Sequence, residues 1–261
     1  MESTLDQKKN RLFITLCGIF ITNALLAEMI GVKIFSFEKT IGLNPANVDI
    51  LGFAMSFNLT AGVVIWPIVF ITTDLTNEYF GKPGVKRISY LTAGLIAYAF
   101  VVIYLTMLLA PADFWIETNS TDLSGNSFNI SYAFNKIFGQ GQRIIIGSLT
   151  AFIISQLVDV FVFQKLKKIT GNKMLWLRAT GSTLVSQFID SFVVLFIAFY
   201  GVFTNSQIVA IGITNYIYKF IVAIALTPLI YLGHSIIDKY LGKEQAEKIS
   251  EEATQQSKGF F

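Results

Sequence analysis

Charge is scarce in this chain of 261 residues. Only 14% of it is Asp, Glu, Lys or Arg, against about 25% in an ordinary soluble domain, which such a composition excludes. Cysteine occurs once, as Cys17, so no intrachain disulfide can form, and in its apolar run it reads as a small buried hydrophobe. Histidine also occurs once, as His234, and without a Cys or His cluster neither a zinc nor a haem site is expected. The carboxylates show no metal-ligand spacing, so no cofactor is expected. The net charge of +3 is too small to call for a nucleic-acid partner.

What is abundant is apolar length. Hydrophobic residues make up 53% of the chain, 24 of them Phe, in long runs separated by short basic stretches. This reads as an all-α polytopic membrane protein, one bundle in a lipid bilayer. Residues 1–11 form a basic N-terminus. Six spans are expected at about 12–31, 50–80, 88–110, 144–164, 179–201 and 208–232, within one domain at 12–234. The first run resembles a signal peptide but is too long for one, so it is taken as an uncleaved helix. The second run contains Pro67 and admits either a single kinked helix or an entering segment followed by a shorter helix from about Thr60. A polar loop at 111–141 includes a candidate interfacial helix from Ser131 to Phe138, and a solvated tail follows at 235–261.

Lys and Arg set the orientation. Fifteen lie at the N-terminus, after spans two and four, and in the tail; only Lys33, Lys39, Lys136 and Arg143 lie on the other side. This bias puts both termini in the cytoplasm.

Two copies of one polar motif then stand out: Ser155-Gln156-Leu157-Val158-Asp159 and Ser186-Gln187-Phe188-Ile189-Asp190. A carboxylate near the bilayer centre costs about 2.5–3.5 kcal/mol on insertion scales, whereas an interhelical polar contact returns only about 0.6 kcal/mol. Helix glue therefore accounts for Ser and Gln better than for Asp. Spacings of three and four put each set on one helix face. In antiparallel neighbours Gln156 should lie level with Asp190, and Asp159 with Gln187, as crosswise amide–carboxylate pairs. Gly147-Ser148 and Gly181-Ser182 would let the two helices approach closely.

Lys219, inside span six, is a candidate counter-ion for Asp159 or Asp190. Asp74, Asn77 and Glu78 share one face near the end of span two, and Asn23 and Glu28 sit toward the far end of span one. Trp66 is deep enough to stack on a flat ring. Carboxylates, carboxamides and aromatics suit a planar, hydrogen-bond-rich heterocycle, as a carboxylate suits the edge of a guanine-type ring, bound where spans one, two, four, five and six meet. The residues alone go no further than a transporter of polar small molecules.

The stretch from Trp66 through Pro67, Phe70, Thr73-Asp74, Asn77-Glu78-Tyr79 to Gly81 resembles the P-x-x-F-x-x-T-D-x-x-N-E-x-Y-G signature of the queuosine precursor transporter family, with Phe80 before Gly81 as a small departure. Ser148 to Phe163, Trp176-Leu177-Arg178, Ser182-Thr183, Ser186 to Asp190 and Thr227-Pro228 with Tyr231 match its later blocks, so the resemblance covers about Phe13 to Leu232. It implies a bacterial inner-membrane importer of 7-deazaguanines, such as 7-cyano-7-deazaguanine (preQ0) or its aminomethyl relative (preQ1). It also implies a topology like the six-helix substrate-binding subunits of vitamin importers, without their ATPase module. A homodimer is compatible with it. A transporter of another vitamin or nucleobase is the alternative. An intramembrane enzyme is remote, because no Tyr-Asp or Gly-x-Gly-Asp arrangement occurs.

Overall fold

The computed structural model describes residues 2–139, 142–171 and 173–256 and is mostly helical. The long helices are α1 (Glu2–Ile30), α3 (Trp66–Met107), α6 (Gln142–Thr170), α7 (Leu175–Phe199) and α8 (Asn205–Ala225). Each contains a segment long and apolar enough to cross a membrane, which makes this a multi-pass membrane protein. Large apolar side chains such as Tyr98, Val101, Leu105, Ile146 and Ile221 point outward from them. Shorter elements are α2 (Phe37–Thr40), α4 (Asp113–Thr118), α9 (Thr227–Leu241) and α10 (Lys243–Gln256); α5 (Ile130–Phe138) is the short helix expected in the polar loop.

Helix α3 has 42 residues. Straight, it would run about 63 Å, roughly twice the apolar thickness of a bilayer. It breaks at Gly81, whose φ of 61° and ψ of −165° only glycine adopts readily. The chain doubles back there: a Cβ on Gly84 would lie 3.5 Å from Thr76 Cγ2, although a straight helix would hold them about 12 Å apart. The two arms are residues 66–80 and 82–107. Val69 of the first joins Ile88, Ala93 and Ile96 of the second in one core cluster, with Phe20, Ala24 and Phe152.

Three expectations are corrected. The apolar run from Ile50 is not a single kinked helix; as in the second reading a non-helical segment comes first, but the shorter helix starts later than Thr60. Strands β1 (Ile34–Ser36), β2 (Val48–Ile50), β3 (Phe53–Met55) and β4 (Asn58–Thr60) precede a 3₁₀ turn at Ala61–Val64, and the helix starts only at Trp66. Leu51 (φ 57°) and Gly52 (φ 82°) form the two-residue turn between β2 and β3, both left-handed as such hairpins require. The last apolar run also breaks, because Pro228 supplies no N–H, so α8 stops at Ala225 and α9 starts afresh. The polar tail is not simply solvated: α10 buries Ala246, Ile249, Ser250 and Ala253.

One end of the bundle gathers the basic residues. There Leu16, Leu75, Tyr79, Ile237, Leu241, Ala246 and Ile249 form a core joining α1, α3, α9 and α10. At the far end, β1 and β4 pair, and Gly62 packs so tightly on α1 that a Cβ would sit 2.6 Å from Ala27 O. This far cap is organised by Glu38. Its Oε1 accepts the Phe57 amide at 2.8 Å and the Ala46 amide at 3.3 Å, and its Oε2 accepts the Ser36 hydroxyl at 3.1 Å. Burial alone would raise its pKa, but these donors outweigh burial and hold it below the ordinary glutamate value.

Two outcomes follow. Gly81→Ala forces a side chain into a glycine-only conformation and should cost about 1–3 kcal/mol, read as a lower thermal midpoint in detergent. Glu38 has a depressed pKa, so its contribution is present above the unfolded pKa of about 4.3 and lost as pH falls through the folded value. Hydrogen exchange at the Ala46 and Phe57 amides should accelerate over that acid window beyond the intrinsic trend, and Glu38→Gln should remove the pH dependence.

Candidate functional site

Helices α6 and α7 pack antiparallel along most of their lengths, the most extensive contact in the molecule. Small residues make this possible. A Cβ on Gly147 would lie 3.1 Å from Val194 O, and one on Gly181 would lie 3.2 Å from Leu166 Cδ1. The first arm of α3 lies against α6, so polar side chains from three helices face one another inside an apolar bundle.

At the far end Ser148 donates to Glu28 Oε1 at 2.7 Å, tying α6 to α1. Asn23 turns back on its own helix and donates to Ile19 O at 2.7 Å. Below them, Trp66 lies 5.9 Å from the Phe70 ring, nearly parallel to it, and 6.2 Å from Phe152. Asp190 accepts from Lys219 at 2.6 Å, with both side chains partly exposed. The counter-ion of Lys219 is thus Asp190 and not Asp159.

One turn along α6 from Phe152 comes Gln156, then Asp159. Asp159 Oδ1 accepts from Ser186 on α7 at 3.1 Å. The expected crosswise amide–carboxylate bonds therefore do not form: serine takes the place of Gln187, which is itself buried. Asp74 faces Asp159 from α3, within electrostatic reach of it, of Glu78 and of Arg178. Both Asp74 oxygens, Asp159 Oδ2 and Gln156 Oε1 are buried and have no hydrogen-bond partner among the described residues. A buried unsatisfied acceptor costs about 1–3 kcal/mol, more when charged. Four of them on two adjoining helices, α3 and α6, form a surface suited to a ligand rich in N–H donors.

Toward the basic end the polar groups are bonded to one another, although Asn77 Nδ2, Gln164 Oε1, Glu78 Oε2 and Arg178 Nε are buried without a partner among the described residues. Gln164 donates to Asn77 Oδ1 at 2.8 Å and to Asn77 O at 3.1 Å. Glu78 Oε1 receives Ser250 at 2.8 Å, Arg178 at 2.9 Å and Lys167 at 3.3 Å, with His234 Nε2 at 3.9 Å. Arg178 also donates to the carbonyls of Gly171 and Lys173, and its guanidinium lies 5.9 Å from the Phe163 ring. Tyr79 donates to Asp238 Oδ1 at 2.8 Å, while His234 Nδ1 lies 3.0 Å from Asp238 Oδ2. Next to this network is a cavity of about 200 Å³.

Lys167, Arg178, Gln164 and Ser250 are the residues that sequence reasoning missed. Lys167 and Arg178 read as loop charges, yet they are among the most buried side chains. A signal was present. Gln156, Asp159, Phe163 and Lys167 continue one i, i+3, i+4 stripe, so the polar face of α6 runs on past its motif.

The family described as "Putative vitamin uptake transporter" matches residues 60–233. A "Probable queuosine precursor transporter" of Bacillus subtilis is 32% identical over 195 residues, covering 74% of this chain and 80% of the relative. A protein of the same description from Haemophilus influenzae is 29% identical over 226 residues, 85% of each chain. The "Queuosine precursor transporter" of Escherichia coli is 28% identical over 213 residues, 80% of this chain and 85% of the relative. No solved structure matches the chain.

The two halves of the site should respond oppositely to mutation. Arg178→Met breaks a buried ion set and should cost about 3–5 kcal/mol, read as a large drop in thermal midpoint. Gln156→Leu removes an acceptor without a donor and should hold or raise the midpoint while impairing function.

Proposed function

The chain belongs to the vitamin uptake transporter family, and from that membership we propose that it imports 7-deazaguanine precursors of queuosine, 7-cyano-7-deazaguanine or its aminomethyl relative, across a bacterial inner membrane. The observation that carries the reading is the set of buried acceptors without donors at Asp74, Asp159 and Gln156. A guanine-type edge offers a ring N–H and an exocyclic NH₂ side by side, which one carboxylate accepts together. Asp159 and Asp74 read that edge, and Asp190, held by Lys219, borders it. Gln156 and Gln187 read the carbonyl and the adjoining N–H. Trp66 stacks on the ring from the far side. Asn77 and Glu78, engaged with Gln164, Lys167, Arg178 and Ser250, hold the wall beneath, while Asn23 and Glu28 line the approach.

In this reading the membrane is crossed six times, by α1, the two arms of α3, α6, α7 and α8. Both termini lie in the cytoplasm, in line with the Lys/Arg bias toward the end where they gather. Transport involves no chemical step and no ATPase module.

Asp159→Asn and Asp190→Asn should each abolish uptake in a strain that depends on an external precursor, and wild-type rates in both variants would overturn the assignment. The purified protein should gain thermal stability with a deazaguanine and none with riboflavin or biotin, and guanine in the same screen measures how much the shared edge alone contributes. Stabilisation by one of the vitamins instead would favour the alternative that the family description suggests.

A further inference from the structure

The file of polar groups that begins at the far end does not stop at Asp74. It continues through Asn77 and Gln164 to Glu78 and ends at the 200 Å³ cavity. The body of the bundle contributes Glu78, Arg178, His234 and Asp238 to the cavity wall, and α10 contributes Ala246 and Ser250. A solute leaving the Asp74–Asp159 level toward the basic end therefore meets α10 across its way. Resting on the transport reading above, we propose that α10 is the gate of this end, and that the contact of Ser250 with Glu78 and Lys167 is the catch that opens in each cycle.

The attachment of α10 suits a part that lifts. The helix is polar overall, and its buried face consists of Ala246, Ser250 and Ala253 with Ile249 as the one large apolar anchor. It is joined to α9 by a single residue, Gly242, at φ 91° and ψ 129°, where a Cβ would meet nothing within 4 Å. Glycine there leaves the joint free to re-aim the helix.

The catch also suits repeated opening. When α10 lifts, Ser250 surrenders three hydrogen bonds: its hydroxyl to Glu78 Oε1 at 2.8 Å, and those from Lys167 Nζ to its hydroxyl at 2.9 Å and its carbonyl at 3.1 Å. Glu78 keeps Arg178 and Lys167, so no buried charge is stripped of its counter-ion, the event that makes breaking such networks costly. Water replaces the three lost bonds. Glu78 Oε2, buried and without a partner among the described residues, is an acceptor at hand as the gate opens.

The test uses the intact chain in proteoliposomes, with Cys17→Ser to remove the native thiol and Ala246→Cys as reporter on the covered face of α10. At rest a membrane-impermeant maleimide should label the reporter slowly. During transport of 7-cyano-7-deazaguanine labelling should accelerate about tenfold, and Ser250→Ala should accelerate it comparably with no solute present. Ile249→Cys is the second reporter if Ala246→Cys does not fold. Labelling that stays slow in both arms, with only a lower thermal midpoint in Ser250→Ala, makes α10 a fixed staple and overturns the gate. Acceleration by Ser250→Ala with no response to the deazaguanine upholds the gate and counts against the solute assignment instead.

Discussion

One carboxylate oxygen, Glu78 Oε1, holds the basic end of this molecule together. It is reached by donors from α6, α7 and α10 while sitting on α3 itself. Two cations around one acid, all nearly excluded from solvent, make an arrangement in which each charge needs the others, with the Ser250 hydroxyl as a further donor. Without it Lys167 and Arg178 would be bare charges inside an apolar bundle, and neither the Gly81 reversal nor the seat of α10 would have a fixed reference. The upper part of the bundle can then leave acceptors unsatisfied, because the lower part already fixes the helix positions.

The polar side chains thus divide by what they leave unpaired. Asn77, Gln164, Glu78, Lys167 and Arg178 are bonded to one another and leave a mixture of buried donors and acceptors over, whereas the partnerless buried atoms of Asp74, Asp159 and Gln156 are acceptors alone. The first group reads as architecture and the second as recognition. Asp190 stands between them, paired with Lys219 yet partly open, at the place where α8 joins the site. The same chemistry serves two purposes a few helical turns apart.

How much of this the sequence disclosed depends on the kind of signal. The repeated Ser-Gln-x-x-Asp motif placed its residues on facing helix surfaces, because helical spacing fixes a face. It misassigned the partner of Asp159, because the glycine-lined approach of α6 to α7 brings the short Ser186 hydroxyl within reach ahead of the longer Gln187 amide. Lys219 was correctly seen to need an acid, but the choice between two acids waited on α8 packing against α7. The hairpin at residues 48–55 was hidden because its turn uses Leu51, a residue that seldom adopts positive φ, in place of an Asn-Gly signal. The seat of α10 was hidden because alanine and serine make a faint apolar stripe. Lys167 and Arg178 were counted as topology markers, and a count of charges cannot tell a snorkelling lysine from a buried one.

The Glu78 network also imposes an order in time. Its members are far apart along the chain: Lys167 follows Glu78 by 89 residues, Arg178 by 100 and Ser250 by 172. At about 5–20 residues per second, the ribosome delivers Ser250 roughly 10–35 s after Glu78. During that interval the acid enters the membrane ahead of its cations, and its first companions within reach are Asp74 and Asn77 on its own helix. Assembly of the basic end is therefore the last event in the biogenesis of the bundle, and a nascent chain that has made the Gly81 reversal must wait for α6 and α7 before its charge is matched.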